Sequence, residues 1–415
     1  MKKKYSCKDD YDPNSILIEE ALKVIKNMSK KITAYEIINL KDSYNRILYE
    51  NIKSKIKVPN YNNSAMDGYA LNIKYTKKNN IFKVVGTALA GKSYTGKIKE
   101  NECIKIMTGA VIPKSCNVVI MKEETITIKK NTIKIISNDI KINQNIRFAG
   151  EDIKLNKILL HKNERIDPSI MGVLASQGIH KIKVLKKPKI AFFTSGDEII
   201  DIKNRLPQGK LYDSNRYTLI GMLLKLDVEI IDLGHSKDNI NEIKLKFKEA
   251  INCSDIVITT GGVSVGDADY IKEVVKKIGK INFWKVAIKP GRPLAFGKLK
   301  DTIFFGLPGN PVSVMITFLL FVLPSIKILT NEKHDLDVEE AILESNLKKR
   351  PGRVEFQRGI FYKKNNKIYV KSVGEQGSGI LSSMSNANCL IYLLLNQTIV
   401  EKDCKVKIIK FKNYI

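Results

Sequence analysis

The stretch that decides the fold is Ile256-Val257-Ile258-Thr259-Thr260-Gly261-Gly262-Val263-Ser264-Val265-Gly266-Asp267. An apolar, β-branched run that ends in paired glycines, followed by a helical pattern from Tyr270, predicts a strand whose carboxyl end opens into an anion-binding loop. Glycine lets backbone N–H groups approach a ligand closely. A tight strand-to-helix turn that needs glycine only for its backbone is the alternative for this segment taken alone.

Two later loops strengthen the anion-binding interpretation. Lys289-Pro290-Gly291-Arg292-Pro293 would place two cations beside the glycines. Leu307-Pro308-Gly309-Asn310-Pro311-Val312-Ser313 is stiffened by its prolines around Gly309 and Asn310. Together the three loops predict one crevice for a phosphate or another oxyanion.

Strand and helix patterns alternate around this stretch. The alternation predicts a parallel sheet covered by helices. Ligands of such sheets lie beyond the carboxyl ends of the strands, so Thr194-Ser195-Gly196-Asp197-Glu198 is expected at the same edge as Gly261 and Gly262. The predicted elements are strands at 190–194, 228–233 and 256–259 and helices at 216–226 and 240–253.

The remaining patterns predict a multidomain α/β protein. Helical spacing at 15–48 and 168–178 indicates an elongated helical domain, and the alternating, glycine-punctuated region between them indicates an inserted β domain. Short alternating strands return from about Asp335, as in Ile368-Tyr369-Val370. The predicted domains are a helical one (1–58 and 143–185), an inserted β domain (59–142), a three-layer α/β domain with a mostly parallel sheet (186–332) and a C-terminal β-barrel-like domain (333–415).

Composition narrows the class of protein. The chain has 415 residues, 71 Lys and Arg against 43 Asp and Glu, and a net charge of +28. Such a charge would ordinarily suggest nucleic acid or an anionic membrane surface. The basic residues are spread through a chain rich in Lys, Asn and Ile, without aromatic interleaving or a recognisable motif. We therefore predict neither a nucleic-acid nor a membrane partner.

Cysteines and apolar segments indicate a cytoplasmic protein. The six cysteines have no C-x-x-C pair and are expected to be reduced. No apolar core follows the basic amino terminus, so no secretory signal is predicted. The apolar stretch 312–328 is interrupted by Ser, Thr and Pro, and a buried helix is the better interpretation.

Acidic residues are expected at the same sheet edge. Asp197 and Glu198 follow the first strand, and Asp267 and Asp269 follow the glycine loop. Carboxylates beside a phosphate-binding loop suit Mg²⁺, which bridges protein carboxylates to substrate phosphates. Helix capping is the alternative, particularly for Asp267. No Ser/His/Asp or Cys/His arrangement stands out among four histidines, so a protein nucleophile is not indicated.

Three earlier small-residue turns remain ambiguous on their own. Each could be an ordinary tight turn. They are Asn62-Asn63-Ser64-Ala65-Met66-Asp67-Gly68-Tyr69-Ala70, Met107-Thr108-Gly109-Ala110 and Arg147-Phe148-Ala149-Gly150-Glu151-Asp152.

These segments, taken in order from about Ser15 to the carboxyl terminus, resemble the molybdopterin molybdenumtransferases, which are related to the E domain of gephyrin. The resemblance implies that adenylylated molybdopterin binds with Mg²⁺, that molybdate is delivered to the dithiolene sulfurs, and that AMP is released. It also implies an elongated four-domain homodimer whose active site is shared between subunits. Implied partners are the upstream adenylyltransferase and recipient molybdoenzymes.

The resemblance also assigns roles to individual residues. It implies catalytic roles for Asp67, Thr108, Asp152, Glu198 and Asp269, of which the first three would reach toward the partner subunit. It implies substrate binding by Ser195, Gly196, Asp197, Gly261, Gly262, Ser264, Pro308, Gly309, Asn310 and Pro311. It implies molybdate binding by Lys289, Arg292, Ser313, Arg353 and Ser378, and Mg²⁺ binding by Asp267 and Asp269. Charge-assisted hydrogen bonds from such cations and hydroxyls suit a tetrahedral dianion.

Two positions depart from the family pattern. The family usually has lysine where Arg292 stands, and guanidinium keeps the charge but changes the donor geometry. It commonly has threonine where Ser195 stands, which retains the hydroxyl. Alternative functions are a bare pterin-binding domain and a non-catalytic scaffold that keeps the fold for partner binding. The preference for molybdate over tungstate stays open.

Overall fold

The chain folds into two compact units. The structure, a computed structural model, describes residues 12–262, 270–332 and 336–412. One unit is Ile37–Val184, and the other comprises the described residues on either side of it. Each is described by itself below.

The helices begin and end as follows. They are α1 (Ile18–Met28), α2 (Pro168–Ser176), α3 (Ser214–Leu224), α4 (Ile240–Cys253), α5 (Tyr270–Ile278), α6 (Pro311–Thr317), α7 (Leu323–Leu329) and α8 (Ser382–Ser385). A π-helical turn at Phe318–Val322 joins α6 to α7.

The strands are numbered in chain order. In the first half of the chain they are β1 (Tyr35–Asn39), β2 (Ile52–Lys53), β3 (Asn63–Ser64), β4 (Gly68–Leu71), β5 (Ile81–Ala88), β6 (Glu102–Ile106), β7 (Val118–Met121), β8 (Thr125–Lys129), β9 (Thr132–Ile135), β10 (Ile146–Arg147), β11 (Ile158–Leu160), β12 (Lys181–Leu185), β13 (Lys189–Ser195) and β14 (Ile199–Ile200). In the second half they are β15 (Leu211–Tyr212), β16 (Glu229–Ser236), β17 (Ile256–Thr260), β18 (Lys280–Lys285), β19 (Ile288–Lys289), β20 (Pro293–Leu299), β21 (Thr302–Leu307), β22 (Val338–Leu343), β23 (Leu347–Lys348), β24 (Val354–Lys364), β25 (Lys367–Ser372), β26 (Cys389–Leu393), β27 (Ile399–Val400) and β28 (Lys405–Lys410).

A six-stranded sheet organises the α/β part, in the order β16-β13-β17-β21-β20-β18. The first four strands are parallel; in register, Ile190 of β13 pairs with Ile256 of β17, which pairs with Ile303 of β21. β20 and β18 add antiparallel strands at one side. The parallel register brings the carboxyl ends of β13, β17 and β21 to one edge, as the sequence predicted.

Side-chain alternation along β13 gives the sheet two buried faces. Ile190 and Phe192 pack in a core that also contains residues of α1, α3 and the α6–α7 helix. Ala191 and Phe193 pack in a second core with residues of α4 and α5. Because successive strand residues point to opposite faces, this alternation produces three layers.

The apolar helix predicted at 312–328 is present as one continuous helix, Pro311–Leu329. By its length and by the mean hydropathy of 2.3 in an 18-residue window, this helix resembles a membrane span. However, 83% of that window is buried inside the protein. Burial of this kind is what the core helix of a globular domain shows. The helix therefore anchors the loop that precedes it to the core.

The C-terminal segment forms a closed ring of five strands. The order β24-β25-β22-β28-β26 returns to β24 through the β24–β26 pairing. β19 adds to β24 from outside the ring, with Ile288 opposite Val354 and Lys289 opposite Glu355. The inside of the ring is filled by apolar residues such as Leu343, Val370 and Ile408. The predicted barrel-like domain is thus observed.

The unit Ile37–Val184 contains an open six-stranded sheet, in the order β7-β4-β6-β5-β9-β8.

Helix α2 of the same unit begins after Asp167. The Asp167 side chain accepts the Ile170 N–H at 2.8 Å, and Pro168 lies in the first turn of the helix.

The helical prediction for 15–48 is correct only over α1. Residues 35–39 form strand β1, where exposure alternates and Ile37 is 60% exposed. The apolar residues at 34, 37 and 38 have helical spacing, but the segment instead pairs with β12 as a strand. The match to a helical pattern is therefore a coincidence. Within their described residues, the two segments predicted to form a helical domain contain one α-helix each, with short strands around it. The domain boundaries themselves stay predictions.

Candidate functional site

The predicted loops surround one cavity of about 1080 Å³ at the carboxyl edge of the parallel strands. Ends of β13, β17 and β21, the basic loop after β19, and two segments of the barrel region contribute to its lining. Of the predicted site residues, it is lined by Ser195, Glu198, Gly261, Gly262, Lys289, Arg292, Pro308, Gly309, Asn310, Pro311, Ser313, Arg353 and Ser378. Gly196 and Asp197 adjoin this lining in sequence, and Ser264, Asp267 and Asp269 lie outside the described residues.

A glycine is needed at position 261, where the loops meet. Gly261 has φ +86°, and a Cβ built on it would lie 2.4 Å from the Ser195 carbonyl oxygen. A Cβ on Gly309 would lie 3.8 Å from the Gly261 Cα, which shows how near the two loops are. Any larger residue at 261 would push apart the ends of β13 and β17.

The start of α3 ties these loops together. Asp213 caps the helix by accepting the Arg216 N–H at 3.0 Å, and it also accepts the Thr194 hydroxyl. Asn215 Nδ2 donates to the Gly309 carbonyl oxygen at 2.7 Å. The helix N-terminus is thereby fixed against the cavity, where its partial positive charge favours anions.

Ser195 supplies a polar group that the described protein leaves unused. Its side chain is buried, with the residue 5% exposed. Within the described residues, Ser195 Oγ has no hydrogen-bond partner, although the residue lines the cavity. A buried hydroxyl without a partner costs free energy unless a ligand or water completes it.

Asp197 and Glu198 lie beside a third acidic residue, Asp238, which the sequence did not predict; the predicted contribution of Asp267 and Asp269 falls outside the described residues. Asp238, at the end of the loop after β16, donates its N–H to Asp197 Oδ1 at 3.1 Å. Burial, together with the charges of Asp197 and Glu198, raises the pKa of Asp238. Burial also lowers the pKa of His235, although the nearby carboxylates oppose this shift. Among the described residues, no group of three or more such side chains is arranged to hold a metal ion.

The basic loop is held on both sides by buried carboxylates. Lys289 Nζ lies 3.2 Å from Glu355 Oε1, which also accepts Gln357 Nε2 at 3.0 Å. Arg292, predicted as a molybdate ligand, is 5% exposed and its guanidinium pairs with buried Asp12. Lys285 Nζ donates to the same Asp12 oxygen at 3.0 Å.

Asp12 remains ionised in spite of its burial. Burial alone would raise its pKa, but hydrogen bonds from Asn14, Lys285 and Arg292 and the charge of Arg292 lower the pKa to about 2. The ion pair therefore persists throughout the physiological range of pH.

The barrel region closes the cavity from the other side. Asn310 Nδ2 donates to Ser378 Oγ at 3.0 Å, and the Val312 N–H donates to the Ser378 carbonyl oxygen at 3.2 Å. Fully buried Arg358 donates to the carbonyl oxygens of Glu375 (3.1 Å) and Gly377 (2.9 Å). Arg358 thus fixes the backbone that presents Ser378.

The three earlier predicted residues belong to the unit Ile37–Val184. Thr108 donates both its N–H (2.7 Å) and its hydroxyl (2.8 Å) to Asp67 Oδ1, and both residues are exposed. These hydrogen bonds lower the pKa of Asp67. Asp152 is exposed, and its N–H donates to the Val58 carbonyl oxygen at 3.0 Å. The structure therefore brings Asp67 and Thr108 together.

Several residues at the site were not predicted from the sequence. Asp213 was within reach of sequence reasoning, because Asp followed by Ser and Asn before an apolar helical pattern is an N-cap signal. No local signal identifies the others, whose partners are distant in sequence. These missed residues are Asp12, Asp213, Asn215, His235, Asp238 and Arg358.

Three family models match successive parts of the chain. They are the MoeA N-terminal region (domain I and II) over residues 16–178, a probable molybdopterin binding domain over 191–328, and the MoeA C-terminal region (domain IV) over 340–411. The three matches together cover most of the chain and define its class as that of MoeA-type proteins.

Similar proteins agree with this class. A molybdopterin molybdenumtransferase of Haemophilus influenzae is 42% identical over 364 residues, covering 87% of this chain and 90% of that protein. One from Staphylococcus aureus is 32% identical, covering 92% of both. A crystal structure of a molybdopterin biosynthesis MoeA protein from Pyrococcus horikoshii has a TM-score of 0.82 at 27% identity, covering 96% of this chain and 99% of that one.

The chain belongs to the molybdopterin molybdenumtransferase family, the transferases of molybdenum cofactor biosynthesis. The family predicted from the ordered motifs is confirmed.

Proposed function

We propose that this chain inserts molybdate into adenylylated molybdopterin in a Mg²⁺-dependent reaction that releases AMP. The observation that carries the proposal is the convergence of the loops after β13, β17 and β21 with the basic loop on one cavity of about 1080 Å³. A cavity of this size accommodates a dinucleotide-sized ligand.

The phosphate-binding role falls to the loops after the parallel strands. Gly261 and Gly262 leave their backbone close to the cavity, and Ser195 Oγ is buried without a partner among the described residues. The N-terminus of α3 adds its dipole. Gly196, Asp197, Ser264 and the Pro308–Pro311 segment complete the proposed substrate-binding set.

The molybdate-binding role falls to cations and hydroxyls that line the same cavity. Lys289, Arg353, Ser313 and Ser378 line it together. Arg292 also lines it, but its pairing with Asp12 gives it a mainly positioning role, in which it fixes the loop that carries Lys289. Charge-assisted hydrogen bonds from these groups suit a tetrahedral dianion.

The donors at the acidic rim fit Mg²⁺ bound jointly with substrate. Mg²⁺ is generally held by one or two carboxylates and by substrate phosphates rather than by a protein cage. Glu198 lines the cavity and Asp197 adjoins it; Asp267 and Asp269, the ligands proposed from the sequence, lie outside the described residues. When bound, the ion would neutralise charge on the phosphates during hydrolysis.

Glu198 is the proposed general base. Its carboxylate lines the cavity and would accept a proton from the water that attacks the adenylyl phosphorus. The bond from that phosphorus to the bridging oxygen would break, so that AMP carries the water oxygen and molybdopterin keeps the bridging oxygen in its own phosphate. The backbone N–H groups of the loops after the parallel strands would hold the phosphates in place.

We further propose a homodimer with a shared site. Asp67, Thr108 and Asp152 are exposed polar groups of the unit Ile37–Val184, and Thr108 orients the Asp67 carboxylate. In a dimer they would complete the partner's cavity. Molybdopterin adenylyltransferase would supply the substrate, molybdoenzymes would receive the product, and the protein would act in the cytoplasm.

Incubation of the purified protein with adenylylated molybdopterin, Mg²⁺ and molybdate tests the proposal. Equimolar AMP and active cofactor are expected, with neither product when EDTA replaces Mg²⁺. Binding of the substrate without AMP release would instead support a scaffold. Replacing molybdate by tungstate in the same assay determines which oxyanion is used.

A further inference from the structure

A β-bulge places a histidine opposite a residue of the main cavity. In the parallel pairing of β13 with β16, Phe192 lies opposite Asp232, whereas Thr194 lies opposite His235. β16 therefore has one more residue than β13 between these two pairs, and Gly234 in this bulge has φ +74°. Bulges re-aim side chains and are frequent beside active sites. Here the extra residue brings the His235 ring, instead of Gly234, to Thr194.

The Thr194 hydroxyl has two polar neighbours. Its Oγ1 donates to Asp213 Oδ2 and lies 3.3 Å from His235 Nδ1. Thr194 and Asp213 are 2% and 4% exposed, and both line the cavity. A hydroxyl has one hydrogen, and a carboxylate only accepts. Because this hydrogen goes to Asp213, Thr194 Oγ1 accepts from His235, so Nδ1 carries the ring proton.

The protonation of the ring follows from its surroundings. Burial lowers the pKa of His235, although the charges of Asp213, Asp238, Glu198 and Asp197 oppose this shift. The ring is therefore mainly neutral at physiological pH. A neutral imidazole carries one N–H. Since that N–H is on Nδ1, Nε2 is without a proton.

Asp213 connects the His235 ring to the phosphate-binding loops. Its second oxygen, Oδ1, accepts the Arg216 N–H at 3.0 Å and caps α3. In the same turn, Asn215 Nδ2 donates to the Gly309 carbonyl oxygen at 2.7 Å. The orientation of Asp213 thus sets the position of the α3 N-terminus, whose partial positive charge favours an anion. His235 is not among the described residues that line the cavity, so its effect on a ligand passes through this chain.

We propose that His235 is a positioning residue: its Nδ1–H directs the Thr194 hydroxyl to Asp213, and this hydrogen-bonded chain holds the α3 N-terminus for the AMP phosphate of the substrate. The identity of the ligand rests on the proposed function. The direction of the hydrogen bonds follows from the geometry alone.

Nuclear magnetic resonance of the protein with isotope-labelled histidine tests the direction of the chain. The sequence has four histidines, so the signals missing from His235→Asn identify those of His235. At mildly basic pH, the ring nitrogen shifts of His235 should show a proton on Nδ1 and none on Nε2. A proton on Nε2 instead would overturn the proposal.

Asp213→Asn should reverse the chain. The amide nitrogen, in place of Oδ2, would donate to Thr194 Oγ1, while the amide oxygen still accepts the Arg216 N–H. The freed Thr194 hydroxyl hydrogen then points to His235 Nδ1, so the ring proton should move to Nε2. Asp201→Asn is the matched control, since Asp201 pairs with the Arg216 guanidinium at 3.0 Å, and it should leave the tautomer unchanged. An unchanged tautomer in Asp213→Asn would contradict the chain.

Calorimetric titration with AMP tests the effect on binding. His235→Leu should weaken AMP binding about three- to tenfold, because one hydrogen bond that orients the site is lost. His235→Asn keeps an N–H near the position of Nδ1 and should largely restore the affinity. His161→Leu, at an exposed histidine of the other unit, is the control and should bind AMP like the wild type.

A double-mutant cycle separates positioning from packing. Thr194→Val keeps the size of the side chain but removes the hydroxyl, so His235→Leu should have no further effect on AMP affinity in that background. Losses that simply add would show that His235 only fills space, and they would overturn the proposal.

Steady-state kinetics distinguish this inference from the proposed function. In His235→Leu, the KM for adenylylated molybdopterin should rise more than kcat falls, because the residue acts on binding. A lower kcat at unchanged KM would contradict positioning. If the wild type made no cofactor, the proposed function would fail, while the tautomer of His235 and its reversal by Asp213→Asn would still decide the hydrogen-bonded chain.

Discussion

The sheet edge and the Asp67–Thr108 pair are two predicted parts of one active site, yet they are built differently. At the sheet edge, Thr194, Asp213 and Asn215 hold together loops that line one cavity. Asp67 and Thr108 bond to each other at an exposed position of their own unit. The first arrangement surrounds a ligand, whereas the second presents a carboxylate outward. This contrast is consistent with the proposal that a second subunit completes the site.

The largest effect is expected at the sheet edge. Glu198→Ala should lower kcat on the order of a thousandfold, because it removes the proposed base from an otherwise intact cavity. AMP release measured by chromatography checks this, and the melting temperature should stay unchanged because Glu198 is exposed. Activity near that of the wild type would remove Glu198 from the chemistry.

A smaller loss of activity is expected from the outward-facing carboxylate. Asp67→Asn keeps the hydrogen bonds of Thr108 but loses the charge, and turnover should fall roughly a hundredfold. Thr108→Ser, which retains the hydroxyl, is the matched control and should remain near the wild-type rate.

Mixing the two inactive variants sharpens the comparison. If the site is shared, dimers that contain one Glu198→Ala chain and one Asp67→Asn chain have one intact site, so activity should partly return after subunit exchange. No recovery, together with a monomeric mass by light scattering, would contradict the shared site.

Asp12 concerns the stability of the sheet-edge region rather than its chemistry. Asp12→Asn should lower the free energy of unfolding by about 3 kcal/mol, because it breaks the buried ion pair between Asp12 and Arg292. Urea denaturation measures this, with Asp301→Asn, an exposed carboxylate, as a control that should change by less than about 0.5 kcal/mol.

The same pair predicts a dependence on pH. Since the pKa of Asp12 is lowered from 3.8 to about 2, its stabilising contribution is complete above the unfolded-state value and is lost as the pH falls toward 2. Wild type and Asp12→Asn should therefore converge in stability in acid. A difference that stayed constant down to pH 2 would contradict the ion pair.

The smallest effect is expected at Arg358. Arg358→Lys keeps the charge but cannot reproduce the hydrogen bonds to Glu375, Gly377 and Ser383, so stability should fall by about 1 to 2 kcal/mol. The KM for molybdate should rise in parallel if the loop bearing Ser378 is displaced. Lys371→Arg, on the exposed side of β25, should have neither effect.

Local signals explain what the sequence could predict. The strand, glycine loop and helix around Gly261 were predictable because β-branched residues, positive-φ glycines and helical spacing all act within a few residues. The convergence of the loops followed from the general geometry of parallel sheets. The motifs then identified the family.

Long-range contacts explain what the sequence could not predict. Asp12 and Arg292 are separated by 280 positions, so neither residue reveals the other. Arginine is usually found at the protein surface, yet Arg358 is fully buried under the loop that it holds. Ile37 led to the opposite mistake. Its spacing predicted the buried face of a helix, but it is an exposed apolar residue of a strand.

The short strand β19 has a mechanical consequence. It pairs with β24 of the closed ring, and four residues later the chain enters β20 of the six-stranded sheet. A rotation of the ring must therefore either break the Ile288–Val354 pairing or carry Lys289 with it. A movement of the ring would thus change the position of Lys289 in the cavity. A shortened chain that ends before β22 would lack the strand β24 that orients this lysine.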